Sequence, residues 1–355
     1  MERGTTLCIP AWNATGFLAE TLAACAAQEV PGLRILVSVD GADRATAAAC
    51  EPFLADPRFA CVVQERRLGW VGNTNALIAA VATEHFAIMP HDDVPAPDWL
   101  AALHEVLAAH PGAVCAYADL EGFGTQEITF AQPEITGGPI ARRLETLLQH
   151  YACVPYRGLF RLPDPARRPF LPTGLPGDIA ADTAWLMELA CQGELRRVPR
   201  VLVRKRYHPG NTHGRWADLP PDEAVATTVG LIGTMRRRAM QGLSHAAGED
   251  GLIETAALLR LLGCGGTLLV ARHAPAPALL NGHLGTDGLV GLLAGARTIR
   301  DHPEAQPLRK VLAEADCRAR LAALAETMSG SIWSRCLNEL MSLAADAGGR
   351  RADRP

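Results

Sequence analysis

Three observations predict an α/β chain built on a doubly wound, mostly parallel sheet with a C-terminal helical appendage. Short apolar runs alternate with segments of helical spacing over residues 1–120, the pattern of strands joined by crossover helices. Three of those runs stop abruptly at polar residues, Trp12-Asn13, Asp40 and Asp92-Asp93. In an open α/β sheet the carboxyl ends of the strands are where ligands bind. After Pro221 the strand-like runs give way to helical ones.

The elements follow in order. Residues 5–9 read as a strand stopped by Pro10. Leu18, Leu22 and Cys25 recur at helical spacing, in a helix that ends before Pro31. Residues 33–39 form a second strand ending at Asp40-Gly41, and a short helix leads to a strand over residues 59–63. A helix spans about residues 73–81, and the strand 85–89 delivers the acidic pair Asp92-Asp93. Residues 97–109 read as a helix with proline at its start, and 113–117 as a further strand. Residues 136–177 are rich in Pro, Gly and Arg around a helix near 140–150, a composition suited to a substrate-specific wall. Helices are expected at 224–240, 251–262, 288–299, 308–324 and 333–345, and a disordered tail at 348–355.

Composition excludes several classes. Lys+Arg 34 against Asp+Glu 38 leaves a formal charge of −4, without a run of one sign, so neither nucleic acid nor an anionic membrane is an expected partner. The most apolar later stretch, residues 258–280, is broken by Arg260, Arg272, His273 and two prolines, which argues against a membrane span. Met1-Glu2-Arg3-Gly4 runs directly into the first strand, so no secretory signal is expected and the location is read as cytoplasmic, or peripheral at the inner face of the membrane. Of the ten cysteines the closest two, Cys50 and Cys61, lie eleven positions apart, and no C-x-x-C occurs; reduced thiols are expected.

The usual nucleotide fingerprints are missing: there is neither a G-x-G-x-x-G after the first strand nor a phosphate-binding G-x-x-x-x-G-K-[ST]. Pro10-Ala11-Trp12-Asn13 instead offers an aromatic face and an amide, and Asp40 a carboxylate. Such a set suits a nucleobase, which can stack on the ring while the acid accepts a base N–H; equally, Trp12 can be a core anchor and Asp40 a turn residue. Asp92 and Asp93 repel one another unless a cation or strong donors sit beside them, although turn and capping chemistry also places such pairs.

These pieces stand in the order found in family 2 glycosyltransferases, the inverting GT-A group, which the first 120 residues resemble. The matching segments are Cys8-Ile9-Pro10-Ala11-Trp12-Asn13, then Ser38-Val39-Asp40-Gly41-Ala42-Asp43, then Gly69 with Asn75-Ala76. Met89-Pro90-His91-Asp92-Asp93 stands at the place of the D-x-D metal motif. Downstream the similarity resumes at Asp182-Thr183-Ala184-Trp185-Leu186 and closes at Arg206-Tyr207-His208-Pro209-Gly210-Asn211. The resemblance implies a GT-A domain over residues 1–215, with a nucleotide-sugar half (1–120) and an acceptor and catalytic-base half (121–215), followed by the helical region 216–347.

By that resemblance Pro10, Trp12, Asn13, Asp40, Gly69, Asn75 and Asp92 would bind the donor, and Asp92, Asp93 and His208 would hold Mg²⁺ or Mn²⁺ on its diphosphate. Asp182 would be the general base for an acceptor hydroxyl, although its position also suits a helix cap. The implied donor is a nucleotide sugar, with uridine the family's commonest base. The implied acceptor is a glycan, a lipid-linked glycan or a small molecule. The apolar faces of the C-terminal helices would pack on the catalytic domain or on another copy of the chain. Three positions depart from the family pattern: Pro90 replaces the first acid of the D-x-D motif, Ala181 the acid that commonly precedes the base, and Thr74 an arginine. The first two departures motivate an alternative, a non-catalytic sugar-nucleotide-binding or scaffold protein of the same fold.

Overall fold

In this computed structural model, residues 2–137, 153–162 and 164–211 are described, together with positions 143, 146, 147, 234, 238 and 326. The helices expected within 224–345 and the tail at 348–355 lie outside the described residues, apart from those isolated positions, as does most of the helix near 140–150. Two compact units divide the chain: one comprises 1–137, 152–174 and 180–211, the other 138–151, 175–179 and 212–355. The first holds the sheet and every candidate site residue.

That unit opens with β1 (Glu2–Ala11), α1 (Leu18–Ala26), β2 (Leu33–Val39), α2 (Arg44–Cys50) and β3 (Phe59–Val63). It continues through α3 (Gly69–Ala80), β4 (Thr83–Ile88), β5 (Val94–Pro95), α4 (Trp99–Ala109) and β6 (Ala113–Gly124). β7 (Thr129–Phe130), β8 (Leu159–Arg161), α5 (Ala181–Gln192) and β9 (Glu194–Tyr207) complete it. β1 is buried from Thr5 to Ile9, as a strand covered on both faces must be. α1 turns Leu18, Thr21, Leu22 and Cys25 inward, and α4 turns in Trp99, Leu100, Leu103 and Leu107. Both stripes follow the three-to-four residue spacing of a helix packed on a sheet. The cysteines among the described residues are free thiols, and no described helix is long and apolar enough to cross a membrane.

The strands lie in the order β3-β2-β1-β4-β8-β6-β9-β5, with β7 paired to β6. β2 and β3 extend the sheet on one side of β1, whereas β4 lies parallel on its other side. The winding therefore reverses at β1, and a crevice opens beyond the carboxyl ends of β1 and β4. Pro10–Asn13 and Pro90–Asp93 are the segments that leave those two ends.

Beyond β4 the sheet is mixed rather than mostly parallel. The short β8 inserts antiparallel between β4 and β6, β5 pairs antiparallel with β9, and β6 and β9 run parallel. β8 and β9 carry no clean alternation in sequence: β8 is three residues long, and β9 is interrupted by Pro199 and several arginines. Their assignment comes from pairing across the sheet, which local periodicity does not encode. Behind this region Phe86 stacks on Phe160 at 5.1 Å, and Phe160 meets Trp185 of α5 at 4.7 Å. The carboxyl end of β9 abuts β6 closely. A Cβ on Gly122 would approach the Tyr207 ring to 2.8 Å, and one on Gly124 (φ +95°) would approach the Tyr207 carbonyl oxygen to 2.4 Å. Only glycine lets these strands close and sets Lys205, Arg206 and Tyr207 beside the crevice.

Candidate active site

The turn after β4 is fixed from three elements. Met89 N–H prolongs the β1 ladder by donating to the Cys8 carbonyl (3.0 Å), and Asp93 N–H closes the turn on the Pro90 carbonyl (3.2 Å). From α1, the Thr21 hydroxyl lies 2.8 and 2.9 Å from the carbonyl oxygens of His91 and Asp93. From β9, Arg206 Nε donates to the Asp92 carbonyl (3.0 Å), while its guanidinium also pairs with Glu20. His91 Nδ1 reaches the Pro10 carbonyl at 3.2 Å, which ties the two strand ends together.

Within this turn the two carboxylates have different tasks. Asp93 is 1 % exposed; its Oδ2 accepts from Arg157 Nε, and its Oδ1 from Arg206 N–H (2.9 Å). Both of its oxygens accept from protein donors, so in this structure Asp93 anchors the turn. Asp92 points the other way, its Oδ2 lying 3.1 Å from His208 Nε2 and 3.1 Å from Asn211 Nδ2. Asn211 in turn accepts the His208 N–H at 2.7 Å, and the imidazole packs 4.7 Å from the Phe17 ring.

Asp92 and His208 fit a hard divalent ion as two of its ligands. An oxygen and a nitrogen about 3 Å apart match neighbouring corners of an octahedron whose bonds are about 2.1 Å long. Among the described residues no cluster of three or more His, Cys, Asp or Glu is present.

At the end of β1, Trp12 is 39 % exposed and the Arg67 guanidinium lies 3.2 Å from its ring centroid. Arg67 Nε also donates to Asp40 Oδ2 (2.8 Å), and the N–H groups of Leu68 (2.6 Å) and Gly69 (3.0 Å) complete the Asp40 shell. Asp40, 2 % exposed, thereby holds the head of α3. Gly69 sits at φ +75°, a left-handed conformation that suits glycine. Asn13, also left-handed at φ +49°, donates its N–H to Asp43, the N-cap of α2 (2.8 Å). Asn75 lies apart from these groups: its amide both donates to and accepts from the Leu171 backbone (2.9 and 2.8 Å). The structure thus gives Asn75 a structural clamp where donor contact was expected.

Asp182 is the second residue of α5, following Ala180 in a left-handed conformation (φ +53°). Its Oδ1 accepts the Thr183 N–H at 2.9 Å, while the N-cap position itself is Ala180, without a side-chain cap. The other partner is the thiol of Cys153, a buried residue at φ +47° whose Sγ also lies 2.8 Å from the Thr183 hydroxyl. Burial raises the Asp182 carboxyl above its ordinary range, while the Thr183 N–H, Arg157, Cys153 and Lys205 pull it back. Arg157 and Lys205 also lie within the field of Asp92 and Asp93. Arg157, Lys205 and Cys153 were not singled out in the sequence analysis.

The sequence profile of Glycosyl transferase family 2 matches residues 6–164. That segment, which carries β1 to β8, is similar to the family 2 glycosyltransferases. Among curated proteins none is similar enough in sequence to match it. Among solved structures, S. aureus TarS 1–349 in complex with UDP-GlcNAc is similar in fold, with 13 % identity over 84 % of this chain and 90 % of that one and a TM-score of 0.54. The UDP complex of the same protein gives 12 % identity, the same coverage and a TM-score of 0.52. The mannosyltransferase PcManGT from Pyrobaculum calidifontis, in complex with GDP-Man and Mn²⁺, is more remote: 16 % identity over 90 % and 85 % of the two chains, TM-score 0.46. The glycosyltransferase domain of this chain therefore has a GT-A-like mixed α/β fold.

Proposed function

We propose that this glycosyltransferase moves a sugar from a nucleoside diphosphate donor to an acceptor hydroxyl, with inversion at the anomeric carbon. The observation that supports the reading is Asp92 beside His208 at the carboxyl end of β4, with the Asp182 carboxyl at the head of α5 in the same unit. The donor's base stacks on Trp12 in place of the Arg67 guanidinium, whose departure frees an Asp40 oxygen for a base N–H. The TarS complexes with UDP and UDP-GlcNAc favour a uridine donor.

Asp92 and His208 would hold Mg²⁺ or Mn²⁺, which supplies charge neutralisation at the departing diphosphate. Asp182 orients the acceptor hydroxyl and takes its proton as the oxygen attacks. The new bond forms from that oxygen to the anomeric carbon. The bond from the anomeric carbon to the β-phosphate oxygen breaks on the opposite face, and its electron pair leaves with the nucleoside diphosphate. Carboxylates suffice as bases when the proton moves late. The proposed location is cytoplasmic.

The test is transfer and donor hydrolysis over a panel of uridine, guanosine and thymidine diphosphate sugars, with thermal shifts by the free diphosphates with and without Mn²⁺. One nucleotide should raise Tm more in the presence of Mn²⁺, and Asp182→Asn should abolish transfer while keeping that shift. Pro90 at the first acid of the metal motif favours a second reading, a sugar-nucleotide-binding protein without transfer. Nucleotide-dependent stabilisation without turnover of any donor would establish it.

A further inference from the structure

Just ahead of β8 the chain makes one short helical turn, Val154–Arg157, with Cys153 as its N-cap residue. At the far end of the turn Arg157 Nε donates to Asp93, the neighbour of Asp92. At the near end Cys153 Sγ lies 2.8 Å from the Thr183 hydroxyl, and the Thr183 N–H donates to Asp182 Oδ1 at 2.9 Å. Hydrogen bonds at its two ends therefore tie these five residues to the acidic turn after β4 and to the head of α5.

Cys153 is itself held firmly. Its backbone is left-handed at φ +47°, a region that residues other than glycine, asparagine and aspartate seldom occupy. The Tyr156 N–H donates to the Cys153 carbonyl (3.0 Å), and the next peptide, Val154 N–H, donates to Oε1 of the buried Gln132 (3.2 Å). Cys153 and Thr183 are both buried, so water does not compete for the bond between them. Burial raises the Cys153 thiol well above its ordinary range, so it keeps its proton and is a donor rather than a nucleophile. An ionised carboxylate can only accept. The thiol, whose other partner is Asp182, therefore donates to that carboxylate, and the Thr183 hydroxyl donates to the sulfur.

We propose that Cys153 is a positioning residue for transfer: together with Thr183 it holds the Asp182 carboxylate in the one orientation from which it takes the acceptor's proton. The inference rests on Asp182 being the base. The remaining groups that act on Asp182 are Arg157, from the same turn, and Lys205 of β9. A thiol is a weak donor, so it fixes the direction of the carboxylate with little loss of its basicity. A hydroxyl in its place is a stronger donor and lowers that basicity further. Exchanging sulfur for oxygen, or removing the group, is therefore a direct probe of the role.

The experiment is the pH dependence of kcat and kcat/KM for sugar transfer by wild type, Cys153→Ala, Cys153→Gly and Cys153→Ser. Glycine suits the left-handed backbone, so Cys153→Gly removes the thiol without strain. Both Cys153→Ala and Cys153→Gly should lower kcat by roughly tenfold to a hundredfold, the effect of a misplaced reacting group, with the KM for the donor unchanged. Their acid limb should move up by about half a unit to one unit, the equivalent of one neutral hydrogen bond, because Asp182 protonates more readily. Cys153→Ser should recover most of kcat and bring the acid limb back to the wild-type position or below it. An acid limb that stays in place in Cys153→Gly, or a serine variant that behaves as the glycine one does, shows a packing role alone and overturns the inference while leaving the glycosyltransferase reading intact. Transfer unaffected by Asp182→Asn overturns the base assignment and this inference with it.

A readout free of turnover is the infrared S–H stretching band of the full chain, isolated as the difference between the protein with Cys153 and its Cys153→Ser counterpart. A charged acceptor makes the stronger hydrogen bond, and a stronger bond lowers the stretching frequency. The band should therefore lie lower in wild type than in Asp182→Asn, each taken against its own serine variant. The same frequency in both shows that the thiol does not bond the carboxylate and overturns the proposal.

Discussion

Replacing Arg157 by methionine keeps much of the side-chain volume and removes the cation that faces Asp93. Asp93 is 1 % exposed and the Arg157 side chain 13 %, so solvent cannot stand in for the lost partner. Breaking a buried pair from one side costs about 3–5 kcal/mol, because the remaining charge is stranded. For a cooperative unit of this size that corresponds to a fall in Tm of roughly 6–20 °C. The double variant Arg157→Met with Asp93→Asn removes both charges and should recover most of the loss. The pH dependence has a definite sign. Without Arg157 the folded-state pKa of Asp93 lies further above its unfolded value of about 3.9. Such a group's contribution is complete below the unfolded pKa and is lost as pH rises through the folded one. The deficit of the single variant relative to wild type should therefore be largest at neutral pH and shrink on acidification toward pH 5. Scanning calorimetry of the two variants and wild type at pH 5, 6 and 7.5 measures this. A deficit under about 2 °C, one equal at all three pH values, or no recovery in the double variant would refute the account of Asp93 as a charged anchor.

Four further outcomes follow from the site. Asp92→Ala should abolish the Mn²⁺-enhanced thermal response to the nucleoside diphosphate yet leave Tm without ligand within about 2 °C. Asp93→Asn should lower Tm and largely keep the metal response, which calorimetry and titration with Mn²⁺ would separate. The acid limb of kcat/KM should lie above the usual carboxylate range near pH 4, because burial raises Asp182 and the rate falls as pH drops through its titration. Gly69→Ala forces a side chain into a left-handed backbone at φ +75° and should cost about 1–2 kcal/mol by urea denaturation.

The resemblance that located Asp92 could not separate it from Asp93. In sequence they are adjacent and chemically identical; in the structure one meets Arg157, sixty-four positions away, and the other His208. Those partners arrive on β8's approach and on β9, where the pattern of apolar residues is weakest. Trp12 and Asp40 were identified as a pair for a nucleobase, and the structure joins them through Arg67, which lies on the one and bonds the other. Asn75 stood in register with the family motif, but its amide is spent on the backbone of Leu171, a segment no local rule connects to α3.

The sequence by itself determined the alternation of strands and helices through β6, the polar ends of those strands, and the acidic turn and Asp182 as candidates. Periodicity and breaker residues are local, so they can be read along the chain. Only the tertiary structure decided that the sheet becomes mixed beyond β4, and that one carboxylate of the acidic pair is an anchor while the other faces His208. Strand order, burial and charge balance depend on contacts between distant segments, and the same aspartate is a ligand or an anchor according to which of them reaches it.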